Sequence, residues 1–240
     1  MRTIGLIGGM SWQSTALYYQ IINREIGARL GGLRSAALHC TSLDFEEVVV
    51  RQRRHDWDGL AAMLSDAARG LVAGGAECIL IGTNTMHCVA PAVEAAAGVP
   101  LLHIVDATAA AIRRAGHSVV GLLGTQYTME QPFYVERMAR HGIRCLVPDE
   151  AERAEVHRVI FEELCQGRLE QRSFGAVRDI AARLTARGAQ GIVLGCTELP
   201  LLLQADDCGV PLYDSTQLHA LAAVDFALEG SPLVRMPIAA

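Results

Sequence analysis

Two short segments hold the residue types from which proton chemistry on a small carboxylic acid can be built. Gly82-Thr83-Asn84-Thr85 and Gly195-Cys196-Thr197-Glu198 each follow an apolar run and place a small hydroxyl or thiol directly after a glycine. Where a strand turns into a helix, free backbone N–H groups and the helix dipole can hold a carboxylate; Asn84, Thr85 and Thr197 add side-chain donors of the same kind. A thiol in such a turn is expected to have its pKa lowered from about 8.5 toward neutrality, so that Cys196 can take or give a proton. Ser, Thr and Asn are also ordinary helix N-caps, and capping is the competing role for each. A third donor cluster lies at Gly124-Thr125-Gln126-Tyr127-Thr128, and the loop Gly8-Gly9-Met10-Ser11 is its counterpart near the N terminus. That loop lacks the GxGxxG spacing of a dinucleotide site, so a close backbone approach to a small ligand fits it better.

Composition narrows the chemistry further. All 21 basic residues are arginine and the chain has no lysine. Pyridoxal-phosphate catalysis, Schiff-base aldol chemistry and a Walker phosphate loop each need one, so these three chemistries are excluded. The net charge of −5 argues against a nucleic-acid partner and leaves local arginines or backbone amides to bind any anion. Seven cysteines form no CxxC pair, so no metal site is expected despite the neighbours His39-Cys40 and His87-Cys88. Free thiols, no apolar leader and no membrane span together predict a cytoplasmic protein.

Short apolar runs alternate with amphipathic stretches throughout. Strands are predicted at 3–7, 36–40, 78–81, 101–105, 119–123 and 191–194, and helices at 14–30, 58–72, 107–115, 129–141, 152–165 and 174–186. This order predicts an α/β fold with doubly wound parallel sheets. The chain also repeats itself: Ala73–Thr85 aligns without gaps on Ala186–Glu198, Ile4–Gly9 matches Val120–Thr125, and Gly98-Val99-Pro100-Leu101 recurs as Gly209-Val210-Pro211-Leu212. Three matches in the same order at nearly constant offset predict two Rossmann-like lobes, one of residues 1–98 plus 209–240 and one of residues 99–208. Ligands of open parallel sheets bind beyond the carboxyl ends of the strands, so two lobes related by a pseudo-twofold are expected to share one cleft.

The segments IGLIGGMSW, GTNTMH at Gly82–His87 and GCTE at Gly195–Glu198 resemble the aspartate/glutamate racemase family of cofactor-independent amino-acid racemases, in order and spacing over nearly the whole chain. The resemblance implies two lobes with the active site between them, a homodimer, and two cysteines flanking the substrate α-carbon, one removing a proton and one delivering a proton to the opposite face. Inversion without an electron sink needs such a base and acid. This chain departs from the pattern at the first position, where Thr83 replaces the usual cysteine. Cys196 and Thr83 are therefore the expected catalytic pair, with the L-amino acid turned over faster than the D form. Met10, Asn84, Thr85, Thr125, Thr128 and Thr197 are expected to bind substrate.

Recognition of a second carboxylate falls to the run Arg51-Gln52-Arg53-Arg54, with Arg51 first and a solvated basic face as the alternative. The family's lysine for that task is replaced here by Cys165. Cys88 is a weak stand-in for the missing thiol, and His87 and Glu198 neighbour the two sites. A single-cysteine decarboxylase or cis-trans isomerase of the same superfamily, and an amino-acid sensor without catalysis, are the competing functions.

Overall fold

The computed structural model describes residues 1–229 and divides the chain into two compact units, Met1–His103 with the segment from His219 onward, and Ile104–Leu218. Both boundaries fall later in the chain than the sequence repeat suggested. The repeat unit ends with a strand, and Leu101 and Leu212 each pair with the lobe that precedes them.

In the first lobe β1 (Ile4–Gly8) lies between β2 (Leu38–Ser42) and β3 (Cys78–Ile81), all parallel. Alternation of side chains along β1 and β3 feeds two cores. Ile7, Ile79 and Ile81 meet α3 (Trp57–Ala73) and α4 (Ala90–Ala97) through Leu60, Leu64 and Val93. Ile4, Leu6, Cys78 and Leu80 meet α1 (Trp12–Leu30) and α11 (Ser215–Leu228) through Tyr18, Ile22, Ala223 and Val224. A short helix, α2 (Phe45–Arg53), follows β2 behind the N-cap Asp44.

The second lobe orders its strands β5 (Arg144–Leu146), β4 (Val119–Gly124), β6 (Ile192–Gly195), β7 (Leu212–Asp214), again all parallel. Its helices are α5 (Ile104–Arg114), α6 (Gln126–Glu130), α7 (Pro132–Arg140), α8 (Glu150–Arg158), α9 (Gln171–Ala186) and α10 (Leu199–Leu202). The predicted α/β fold is thus present in two parallel sheets.

The duplication extends to individual hydrogen bonds. Ile79 pairs with Leu101 and accepts its partner strand through the amide donated to Pro100 O at 2.9 Å; Ile192 pairs with Leu212 and donates to Pro211 O at 2.9 Å. Gly82 and Gly195 are equivalent in a second way, since a Cβ on either would press on the backbone of the neighbouring strand, at Ile7 O (3.1 Å) and Leu123 O (2.9 Å).

Three expected elements differ. The run 101–105 gives a single bridge at Leu101 and turns helical at Ile104, because Leu102 N donates to Ile79 O and the ladder then stops. The helix expected over 129–141 is two, since Gln131 is extended before Pro132, which opens α7. The helix over 152–165 leaves α geometry at Val159: a π-helical turn, Val159–Glu163, and a 3-10 turn, Leu164–Gln166, carry it to Gly167 at φ 73°. Helix α11, at the end of the expected first lobe, was not foreseen; residues 230–240 of that lobe lie outside the described residues.

Candidate active site

In the first lobe Thr83 follows β3 through Gly82 and is half-buried, with its amide donating to Ile81 O at 2.8 Å. The chain then enters a 3-10 turn, Thr85–Val89, rather than an α-helix, and Asn84 precedes it without a side-chain cap bond. Asn84 and Thr85 are both buried. Behind them stands a layer that the sequence only hinted at. His87 donates from Nδ1 to the carbonyl of Thr83 at 2.8 Å, and its ring centroid lies 4.5 Å from that of His103 and 5.5 Å from that of His219. His219 in turn donates from Nε2 to Leu102 O at 2.6 Å and accepts from the Tyr18 hydroxyl at Nδ1 at 2.8 Å. Burial lowers its pKa to about 4, so the ring stays neutral and its tautomer is set by these two bonds. Cys88 packs against the core of the first lobe, and burial pushes its thiol up to about 12, which suits a buried apolar side chain.

In the second lobe Cys196 follows β6 through Gly195 and is buried. Its Sγ donates to Glu198 Oε2 at 3.0 Å, and Thr197 Oγ1 donates to the same oxygen at 2.6 Å. Burial first, then the charge of Glu198 and the nearby Cys165, raises the Cys196 pKa well above the ordinary thiol range. This overturns the expectation of a lowered pKa. The helix that was to supply the dipole, α10, is a single turn of four residues, and what actually faces the sulfur is a buried carboxylate. The resting group is a thiol with a base already hydrogen-bonded to it. Burial and Glu198 also push Cys165 up to about 12, so it is a neutral thiol in the same field.

The two glycine loops match as well. Thr125 caps α6 by accepting from Thr128 N at 3.3 Å, and the two threonine hydroxyls lie 3.2 Å apart. Ser11 caps α1 by accepting from Ser14 N at 3.3 Å, with hydroxyls 3.1 Å apart. Residues 11 and 14 stand at a constant offset of 114 from residues 125 and 128, two less than the offset of the preceding strands, so the sequence repeat sets Thr125 against Gly9 and the pairing of hydroxyls emerges only from the structure. All four are buried at the carboxyl ends of β1 and β4.

Three expected substrate ligands are committed elsewhere. The Arg51 guanidinium pairs with Asp56 at 2.6 Å and Glu47 at 3.1 Å, and the two carboxylates raise its pKa further. Asp56 also caps α3, so this ion pair ties α2 to the start of α3 rather than presenting a cation to a ligand. Gln52 is buried and donates to Met86 Sδ at 3.2 Å. Met10 is a core residue grouped with Ile7 and Val48. Among the described residues no cluster of three or more His, Cys, Asp or Glu is placed to hold a metal ion, and no helix is long and apolar enough to cross a membrane.

A model of the Asp/Glu/hydantoin racemase family matches residues 7–223. A candidate Asp/Glu racemase from Yersinia pestis is 51% identical, with a TM-score of 0.90 over 95% of this chain and 100% of that one. An aspartate racemase homologue from Pyrococcus horikoshii OT3 is 36% identical, with a TM-score of 0.81 over 95% of this chain and 99% of that one. The broad specificity amino-acid racemase RacX of Bacillus subtilis strain 168 is 25% identical over 169 residues, 70% of this chain and 73% of that protein.

Proposed function

The chain belongs to the Asp/Glu/hydantoin racemase family, and on that premise we propose that it is a cofactor-independent racemase of aspartate- or glutamate-type amino acids with Cys196 and Thr83 as its proton-transfer pair. The observation that carries the reading is the Cys196–Glu198 hydrogen bond of 3.0 Å at the end of β6, in the structural position that Thr83 holds at the end of β3. The reading requires both groups to address opposite faces of one α-carbon.

With the L-substrate, the Sγ proton passes along the existing bond to Glu198 Oε2 and the resulting thiolate takes the Cα proton. The carbanion is delocalised into the α-carboxylate and receives a proton from the Thr83 hydroxyl on the other face. Cys196 is left a thiol; the proton held by Glu198 returns through solvent to Thr83, so the sum is inversion alone. Hydroxyl and amide donors from Ser11, Ser14, Asn84, Thr85, Thr125 and Thr128, with the backbone amide of Thr197, hold the α-carboxylate as charge develops on it. A hydroxyl is a far weaker base than a thiolate, so removal of the proton from the D face is the slow half-reaction. Because the equilibrium constant of a racemisation is one, kcat/KM is equal in both directions; the asymmetry therefore appears as a higher kcat and a higher KM for L.

Cytoplasmic location and a homodimer complete the proposal. Incubation with each L-amino acid followed by chiral chromatography tests it, with D-aspartate or D-glutamate expected. Carbon dioxide released from a disubstituted malonate, with no D-amino acid formed, would assign the single cysteine to decarboxylation instead.

A further inference from the structure

In a planar trans peptide the carbonyl and the N–H that follows it point in opposite directions, so whatever fixes one also aims the other. The peptide joining Thr83 to Asn84 is trans, and its carbonyl is held by His87 Nδ1 at 2.8 Å. A carbonyl only accepts, so Nδ1 carries the proton and the Asn84 N–H points away from the His87 ring. That ring has little room to shift. His87 is 1% exposed, its centroid is 4.5 Å from that of His103, and it meets His219 edge-on at 5.5 Å. His219 is pinned in turn by Leu102 O and the Tyr18 hydroxyl, which brings α1 and α11 to bear on the same peptide. The backbone amide of His87 also donates to Asn84 O at 3.1 Å. Ring and backbone of one residue thus grip both carbonyls of the turn that carries Thr83 and Asn84.

The repeat-related turn of the second lobe forms without such a clamp. Pro200 stands there at the offset of 113 that relates Thr83 to Cys196, and a proline has no side-chain donor. The clamp therefore belongs to the lobe that presents a hydroxyl where the other presents a thiol. A weaker proton-transfer group leaves more of the barrier to be lowered by preorganised donors around the developing charge. We infer that His87 is a positioning residue, its ring holding the Thr83–Asn84 peptide so that the Asn84 N–H faces the substrate α-carboxylate. The role presupposes the racemase reading, in which that carboxylate lies beside Thr83.

Three substitutions separate the clamp from simple packing. His87→Asn puts an amide N–H where Nδ1 stands but leaves the space of the ring empty. His87→Phe fills that space and has no donor, and His87→Gln carries its donor one methylene further out. Initial rates of D-enantiomer formation from L-aspartate and L-glutamate, with kcat and KM separated, are the readout. His87→Phe and His87→Gln are expected to lower kcat by about 10²-fold with little change in KM, the effect of losing one aimed donor. His87→Asn is expected to stay within about tenfold of the unsubstituted protein. Packing alone predicts the reverse order, since Phe fills the site and Asn leaves a cavity. That reverse order, equal loss in the Asn and Phe variants, or a change confined to KM would overturn the role; should His87→Phe fail to fold, the Asn and Gln pair carries the same comparison. An unsubstituted protein that forms no D-enantiomer and exchanges no Cα hydrogen in D₂O would refute the racemase reading and the role with it. An active unsubstituted protein beside equally active His87→Phe and His87→Gln would refute the clamp alone.

Discussion

At the residue scale, the proposed chemistry turns on a thiol whose surroundings raise its pKa instead of lowering it. Cys196 is buried, sits beside a carboxylate and is raised in pKa, so the proposed mechanism has it hand its proton to Glu198. Glu198→Gln keeps the shape and a hydrogen-bonding oxygen but cannot accept that proton. It is expected to lower kcat on the L-substrate by about 10²-fold or more, with little change in KM, and to move the rise of activity to higher pH; an unchanged pH profile would reduce Glu198 to a structural neighbour. Both GCTE and GTNT were legible as chemical positions from residue type alone. The thiol's environment was not, because a pKa depends on burial and on which oxygen faces the sulfur, and no spacing rule states either. The same holds for Arg51: the run of arginines was visible, but Glu47 and Asp56, which absorb its charge, lie four residues before and five after it.

At the element scale, the four-residue apolar run of β3 and the glycine-ended strands β4 and β6 were readable because buried parallel strands need nothing but short apolar segments. The strands β5 and β7 were missed because each is only three residues long and carries a charge, Arg144 or Asp214, which leaves no apolar run to read. The pairing of α1 with α11 depends on contacts across about two hundred residues, among them the bond from Tyr18 to His219. Its consequence is a pH-dependent stability. The folded-state pKa of His219, about 4, lies below the unfolded value near 6.5, so the neutral ring's contribution is complete above that upper value. It is lost progressively as pH falls from about 6.5 to about 4, by on the order of 3 kcal/mol. Denaturant melts between pH 7 and 4 should show this loss, and His219→Gln should flatten it; equal slopes for the two proteins would exclude His219 as the group responsible.

At the scale of the whole molecule, duplication explains both what was legible and where the proposed function is asymmetric. Each lobe ends its central strands in the same way, with a glycine loop carrying a hydroxyl pair (Ser11 and Ser14, Thr125 and Thr128) and a second glycine followed by the side chain proposed to transfer a proton (Thr83, Cys196). The repeat was visible in the sequence because a Cβ at Gly82 or Gly195 would press on the backbone of the neighbouring strand, which favours glycine at both equivalent positions. Its exact ends were not, since Leu101 and Leu212 had first to be seen pairing backward. The proposed homodimer is checked by light scattering, with a mass near twice 25.8 kDa expected and a single-chain mass refuting it. In the proposed reaction a thiol in one lobe and a hydroxyl in the other make the two halves unequal, and hydrogen exchange at Cα reads that inequality directly. Proton NMR of L-glutamate and L-aspartate in D₂O should show the Cα–H signal of at least one disappearing faster than D-enantiomer forms, and Cys196→Ala should abolish both. Retention of the Cα–H signal in both amino acids, or its loss at an unchanged rate in Cys196→Ala, would contradict the account.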